Sequence, residues 1–281
     1  MPFIKNINND FSIKDDRIVL SKNYFDNYQN RFAKITGTRF SCILGQNKFS
    51  SPFKTWAIMT KIYKEEMDPT LSKVGCAIEP KVREYVEKEL GCKYLSYDPV
   101  QIRFDVFHEN KIFGGIPDGE PVVNGRIDYS KFPMLEIKTT SIDSFVYKKE
   151  NGSLFMKKDE NGYPLIKLPG EKRNSWYCDN DIVISEEYKY QLGLYLYLRN
   201  IDKGIFAVTF LTGEDYVHPE NYVASEHEIA LVNFSINDLD HFKKKVEYAK
   251  HWYIDHIQTG ISPKMTAEDK KWLKEELGQM F

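Results

Sequence analysis

In the stretch IFGGIPDGEPVVNGRIDYSKFPMLEIKTTS, residues 112–141, an acid and a base flank one apolar residue, Glu136-Ile137-Lys138, directly after Met134 and Leu135. The apolar neighbours mark a buried strand, and strand alternation sends Glu136 and Lys138 to one face and Ile137 to the other. Charged side chains projecting from a buried strand are costly unless something answers them. Asp118, after the turn Gly114-Gly115-Ile116-Pro117, is the natural third member. Two carboxylates brought together repel, and Mg2+, a hard ion that takes oxygen ligands, relieves the repulsion. The Ile137 carbonyl is a further oxygen. A lysine beside such a cation orients or deprotonates a water, or neutralises charge developing on phosphorus. An ordinary Glu–Lys pair on a surface hairpin satisfies the bare pattern equally well, so the flanking sequence must decide.

Upstream, GCAIEPKVREYVEKELG (75–91) reads as a helix with Ile78, Val82, Tyr85, Val86 and Leu90 facing inward and Gly91 as its stop. Glu79 lies at the edge of that stripe and is a candidate third carboxylate. Pro80 requires a first-turn position or a kink. Downstream, SEEYKYQLGLYLYLRN (185–200) has helical periodicity, with Gln191 and Tyr195 on one face. Between them VQIRFDVF (100–107) alternates as a half-buried strand, and 112–118, 120–124 and 134–140 read as further strands. GIFAVTFL (204–211) is another, and residues 236–257 contain a long helix.

Nearer the N-terminus, Thr38 and Gly45 suit the caps of a short helix, and Ser51-Pro52 opens a second with Phe53, Trp56, Ala57 and Thr60 inward. Thr266 and Asp269 form a capping box. Residues 1–20 are polar and read as a loose arm, and 148–185 as a long loop or inserted hairpin. The order predicts a single domain over 1–281, α/β or α+β, with a central mixed β-sheet flanked by helices.

Composition bounds the function class. A chain of 281 residues with 42% hydrophobic residues can bury a sizeable core, and no apolar run is long enough to span a membrane. The start MPFIKNINNDFSIKDD lacks the pattern of a secretion signal, so a cytoplasmic location is expected. Cys42, Cys76, Cys92 and Cys178 form no C-x-x-C pair, which argues against a zinc ribbon. The formal net charge of −2 weighs against a protein that coats DNA. It leaves room for a DNA enzyme whose basic groups are concentrated in one groove.

Together, Gly75-x-x-x-Glu79, Pro117-Asp118, Glu136-x-Lys138 and Gln191-x-x-x-Tyr195 resemble the ordered motifs of RecB-type nucleases in the PD-(D/E)XK superfamily. RFAKITGTRFSCILGQNKFSSPFKTW (31–56) is similar to the N-terminal signature of lambda-exonuclease and YqaJ-type viral recombinases. The resemblance spans about Arg31 to Leu198 and implies a restriction-endonuclease-like core. It implies metal ligands Asp118, Glu136 and the Ile137 carbonyl, with Glu79 as an outer acid and candidate further ligand. It implies Lys138 as catalytic lysine, Gln191 near the scissile phosphate, and Tyr195, on the same helix face, as a DNA-binding residue. Arg31 and Thr38 would hold the 5′-phosphate of a DNA end; a plain helix cap explains Thr38 equally well. The family's usual serine is threonine at 38, which keeps the hydroxyl.

The expected activity is an Mg2+-dependent exonuclease, with Mn2+ as a substitute, resecting duplex DNA 5′ to 3′ in phage-type recombination or repair. A trimer and a single-strand annealing partner follow from the same resemblance. The alternatives are a restriction- or structure-specific endonuclease and an idle DNA-binding recombination protein. Lys148 and Lys149 open the basic 148–185 segment, which suits contact with DNA backbone or a solvated loop. No cysteine follows Cys178, so the iron–sulfur cluster of some relatives is not expected.

Overall fold

The strand that carries Glu136 and Lys138 forms over Met134–Ser141 and is the edge of a three-stranded mixed sheet. In this computed structural model, which describes residues 7–48, 50–64, 68–150 and 153–277, its neighbour is Lys203–Leu211. That pair is parallel, in register from Gly204 opposite Met134 to Leu211 opposite Ser141. Parallel neighbours need a crossover, and the helix Glu186–Arg199 supplies it. Strand Ile229–Ser235 adds an antiparallel third member beside Lys203–Leu211. On the other side, Gly119 and Leu135 exchange both main-chain bonds, at 3.2 and 2.9 Å. This tethers the motif strand to a smaller antiparallel sheet of Lys93–Leu95, Glu120–Val123 and Arg126–Ile127.

Strand alternation sorts the apolar residues into two cores. Met134, Phe206, Val208 and Phe210 pack toward Phe40, Leu192 and Leu196. Leu135, Ile137, Ile205, Ala207 and Leu211 pack toward Val74, Ile78, Val82 and Val86 of the long helix Pro69–Leu90. Glu136 and Lys138 therefore face the crossover helix while Ile137 faces the long helix, as the alternation predicts. The stripe Phe53, Trp56, Ala57 and Thr60 is buried as expected, behind a helix opened by the Ser51 hydroxyl, which accepts from the Lys54 amide at 3.0 Å. The Thr266–Asp269 capping box is present, with reciprocal bonds at 2.9 and 3.1 Å.

Several expectations are corrected. Residues 100–107 and 112–118 are turns rather than strands, with only an isolated bridge from Phe113 to Ile35. Val100 and Phe104 are 73% and 66% exposed, and local side-chain bonds shape the segment. Asp98 accepts from the amides of Val100 and Gln101, and Asp105 from those of Phe107 and Gly115. The arm proposed for 1–20 is, over Phe11–Leu20, a β-hairpin whose Phe11, Ile18 and Leu20 enter the core; residues 1–6 lie outside the described residues. Thr38 is not a cap: the helix runs Gly37–Ile43 behind Thr36, and Thr38 is its second residue.

The long helix begins at Pro69, capped by Asp68, so Pro80 sits in its interior and the Cys76 carbonyl loses its usual amide partner. Gly91 ends that helix in the left-handed region, as expected. The helix expected within 236–257 is Phe242–Trp252, followed by a π-turn over Tyr253–Ile257. Within 148–185 the chain forms a hairpin, Tyr147–Glu150 with Ser153–Met156, and a strand Ile166–Leu168 that returns to pair with Ser144–Phe145.

Candidate active site

Asp118, Glu136, Lys138 and Gln191 converge where the motif strand, the Gly114–Asp118 turn and the crossover helix meet. Glu136 is wholly buried. Its Oε1 accepts from Lys138 Nζ at 2.7 Å and from Gln191 Nε2 at 2.6 Å. The Gln191 carbonyl oxygen in turn accepts from Lys138 Nζ at 3.1 Å, closing a three-residue ring. Asp118 Oδ2 accepts from the Ile137 amide at 2.8 Å. Leu135 points its N–H and C=O at Gly119, so two residues on, Ile137 points both groups at the same edge. The Ile137 carbonyl therefore faces the side of the strand that Asp118 occupies.

The electrostatics follow from burial. The Glu136 carboxyl is pushed up to about 8, first by burial and then by repulsion from Asp118 and Glu79; Lys138 opposes the shift. Burial also raises Asp118, against the pull of Lys138, the Ile137 amide and Arg83. Burial alone would lower Lys138, but the carboxylates of Glu136 and Asp118 outweigh it and hold the ammonium above its ordinary value. Glu79 rises to about 7 through burial and repulsion from Asp118.

Glu79 reaches the site from the long helix and is met by Arg83, one turn on, which bonds its Oε1. Arg83 Nε also donates to the Asp118 carbonyl at 3.0 Å, so one guanidinium joins the outer acid to the inner one. Tyr188, like Arg83, joins the site without having been expected there: its ring lies 4.6 Å from Lys138 Nζ and stacks on Trp176. Both residues had a legible signal, since Arg83 is i+4 from Glu79 and Tyr188 is i−3 from Gln191.

Tyr195, expected as a DNA-binding residue, is buried, stacked on Phe107 and pressed against the Gly114–Asp118 turn. Gly115 has φ +135°, and a Cβ there would come 2.6 Å from the Tyr195 hydroxyl. Gly37 plays the matching part on the other side, where a Cβ would meet Gln191 Cγ at 2.4 Å. The two motif glycines thus permit the close approaches that set the Gln191–Tyr195 face.

Arg31 and Thr38 are both exposed. Arg31 lies 5.7 Å over the Tyr28 ring, and the Thr38 carbonyl accepts from the Ser41 hydroxyl at 2.8 Å. Neither residue is hydrogen-bonded to the ring of Glu136, Lys138 and Gln191. Lys148 and Lys149 sit on the inserted hairpin, with Lys149 paired to Glu275 at 3.2 Å. The insertion also carries Asp179 and Asp181, so its basic excess is small.

The residues present fit a hard divalent cation. The donors are oxygens, two mutually repelling carboxylates and a main-chain carbonyl, and Glu136 Oε2 is buried with no hydrogen-bond partner. Leaving such an acceptor unanswered costs about 1–3 kcal/mol. Among the described residues no group of three or more His, Cys, Asp or Glu side chains is gathered closely enough to hold a metal, so Glu79 stands apart from the inner pair.

The folded Glu136 retains a proton that the unfolded chain releases near the ordinary glutamate value of 4.5, so stability of the cation-free protein falls as pH rises toward about 8. Mg2+ bound to the ionised pair would offset this loss, and the Mg2+-induced rise in Tm should then grow across that window. A rise independent of pH in differential scanning fluorimetry would contradict the assignment.

A model of the YqaJ-like viral recombinase domain matches residues 27–164, a span that includes Arg31 through Lys138 and stops before Gln191. The chain is 52% identical to the "Uncharacterized protein MG373" of Mycoplasma genitalium, over 98% of this chain and 99% of that one. It is 51% identical, with the same coverage, to the MG373 homolog of Mycoplasma pneumoniae. Among solved structures, the alkaline exonuclease LHK-Exo of Laribacter hongkongensis is similar at 12% identity, covering 93% of this chain and all of that one, with a TM-score of 0.46. LHK-Exo in complex with dAMP matches at 12% identity and TM-score 0.47, covering 90% of this chain and 98% of that one.

Proposed function

The chain belongs to the family of MG373 and carries a YqaJ-like viral recombinase domain over residues 27–164, and from that premise we propose that it is a divalent-cation-dependent deoxyribonuclease that resects duplex DNA from an end, 5′ to 3′. One observation carries the reading: a buried Glu136 whose Oε1 is held by Lys138 and Gln191 while its Oε2 has no partner. A lone structural ion pair would satisfy both oxygens.

Bound at Asp118, Glu136 and the Ile137 carbonyl, Mg2+ would supply the positive charge that polarises the phosphodiester and acidifies water; Mn2+ would serve in its place. Lys138 acts beside it as a cation, since Glu136 and Asp118 keep it protonated despite burial. Its role is to donate to the non-bridging oxygens as negative charge grows during in-line attack by water, rather than to take a proton. Gln191 fixes that ammonium through its carbonyl oxygen and fixes Glu136 through its amide N–H. Arg83 draws Glu79 toward the Asp118 segment, where Glu79, poised near 7, accepts the proton that the attacking water sheds.

Arg31 and Thr38, both exposed, are assigned through the family resemblance to the 5′-phosphate of the DNA end. Arg31→Ala should lower the preference for 5′-phosphorylated over 5′-hydroxyl linear duplex by about tenfold, one charge-assisted contact. Rates on both substrates, with a closed circle alongside, check this. An unchanged preference removes Arg31 from the role, and nicking of the circle favours the endonuclease reading.

A further inference from the structure

Gln191 and Tyr195 are one helical turn apart, and the same helix face continues for another turn to Arg199. Arg199 ends the crossover helix against Glu120, its Nε and Nη2 donating to Oε1 and Oε2 at 2.6 and 2.9 Å. Glu120 is wholly buried, and the hydroxyls of Tyr97 and Tyr129 donate to the same two oxygens, so neither is left unpaired. The guanidinium also lies 4.7 Å from the Phe107 ring, which stacks on Tyr195.

Glu120 is two residues beyond Asp118, at the start of the strand Glu120–Val123 that follows the turn. The reciprocal Gly119–Leu135 bonds fix that short segment to the motif strand. The placement of Asp118 relative to Gln191 is thus set from two directions, through the strand and through the far end of the helix.

We propose that Glu120 and Arg199 are positioning residues for the carboxylate site, a buried two-bond clamp that holds the Asp118 segment in register with the Gln191–Tyr195 face. The inference takes the reaction from the nuclease reading and the geometry from the clamp itself. Desolvation consumes much of the Coulombic gain of a buried pair, so stability alone is a weak reason for one. A planar fork contributes fixed distance and angle, which the point charge of lysine does not reproduce.

The test uses the full chain, as wild type, Arg199→Lys, and the double variant Glu120→Leu with Arg199→Met, which replaces the clamp by apolar groups. Tm, Mn2+ affinity by calorimetry without DNA, and kcat and KM on linear duplex are measured for each. Both variants should lose about 10–100-fold in Mn2+ affinity and in kcat, the range for groups that orient metal ligands. KM for DNA should move by less than about twofold. Raised Mn2+ should restore part of the rate. Wild-type Mn2+ affinity and kcat in a folded variant, whatever its Tm, would overturn the proposal by making the clamp merely structural. If Arg199→Lys does not fold, the double variant decides alone. A wild-type chain that binds Mn2+ without cutting DNA overturns the nuclease reading only, and the affinity shift still decides the clamp. A wild type that binds no Mn2+ overturns both.

Discussion

Glu136→Gln is expected to lower cation-dependent cleavage of linear duplex DNA by about 1000-fold, while leaving the cation-free fold as stable as the wild type or more so near neutral pH and above. The amide is nearly isosteric, and its carbonyl oxygen can accept from Lys138 as Glu136 Oε1 does at 2.7 Å. What disappears is a buried negative charge that repels Asp118 and Glu79. Because the wild-type carboxyl titrates near 8, the stabilisation should appear as pH rises toward that value and vanish in acid, where the carboxyl is already neutral. Mg2+ should no longer raise the Tm of this variant. Retained cleavage, or a Tm that still climbs with Mg2+, would remove Glu136 from the cation site.

Lys138→Met should also cripple cleavage, by about 100–1000-fold, but with stability moving the other way. The change strips Glu136 Oε1 of one of its two donors and removes the ammonium seated over Tyr188. Breaking one side of a buried pair costs about 3–5 kcal/mol when the other charge stays ionised. Here Glu136 and Asp118 lose the cation that holds their carboxyls down, so both shift further up and the folded chain takes up protons. The destabilisation should therefore be largest above the raised value and smallest in acid. Chemical denaturation across pH measures it. A stability loss independent of pH would mean that Lys138 serves packing rather than the carboxylates.

The opposed pH signatures depend on a cluster that was partly legible before any coordinates. Glu136 and Lys138 could be placed on one buried face because Met134 and Leu135 precede them, and strand alternation is strict. Helical spacing put Gln191 and Tyr195 on one face, and the resemblance to RecB-type nucleases tied that face to the site. The Glu120–Arg199 clamp was not legible, because its partners are 79 residues apart and either looks like a surface charge in sequence. Residues 100–107 misled in the opposite direction. Their alternating apolar residues imitate a strand, but Asp98 and Asp105 capture the local amides and Arg103 and Phe104 take positive φ, at 53° and 60°. The hairpin over 11–20 carried a usable signal, two short alternating runs around Asp15-Asp16, both at positive φ, which the polar composition obscured.

The central claim is that Asp118 and Glu136 hold a cation that drives DNA hydrolysis. Purified protein on linear 5′-phosphorylated duplex, in Mg2+ or in EDTA and beside Asp118→Ala, tests it most directly. The account predicts release of nucleotides by the wild type in Mg2+, none in EDTA, and none by a variant that keeps the wild-type circular dichroism spectrum. Cleavage that persists in EDTA or in folded Asp118→Ala, or a wild type inert in both Mg2+ and Mn2+, would contradict it.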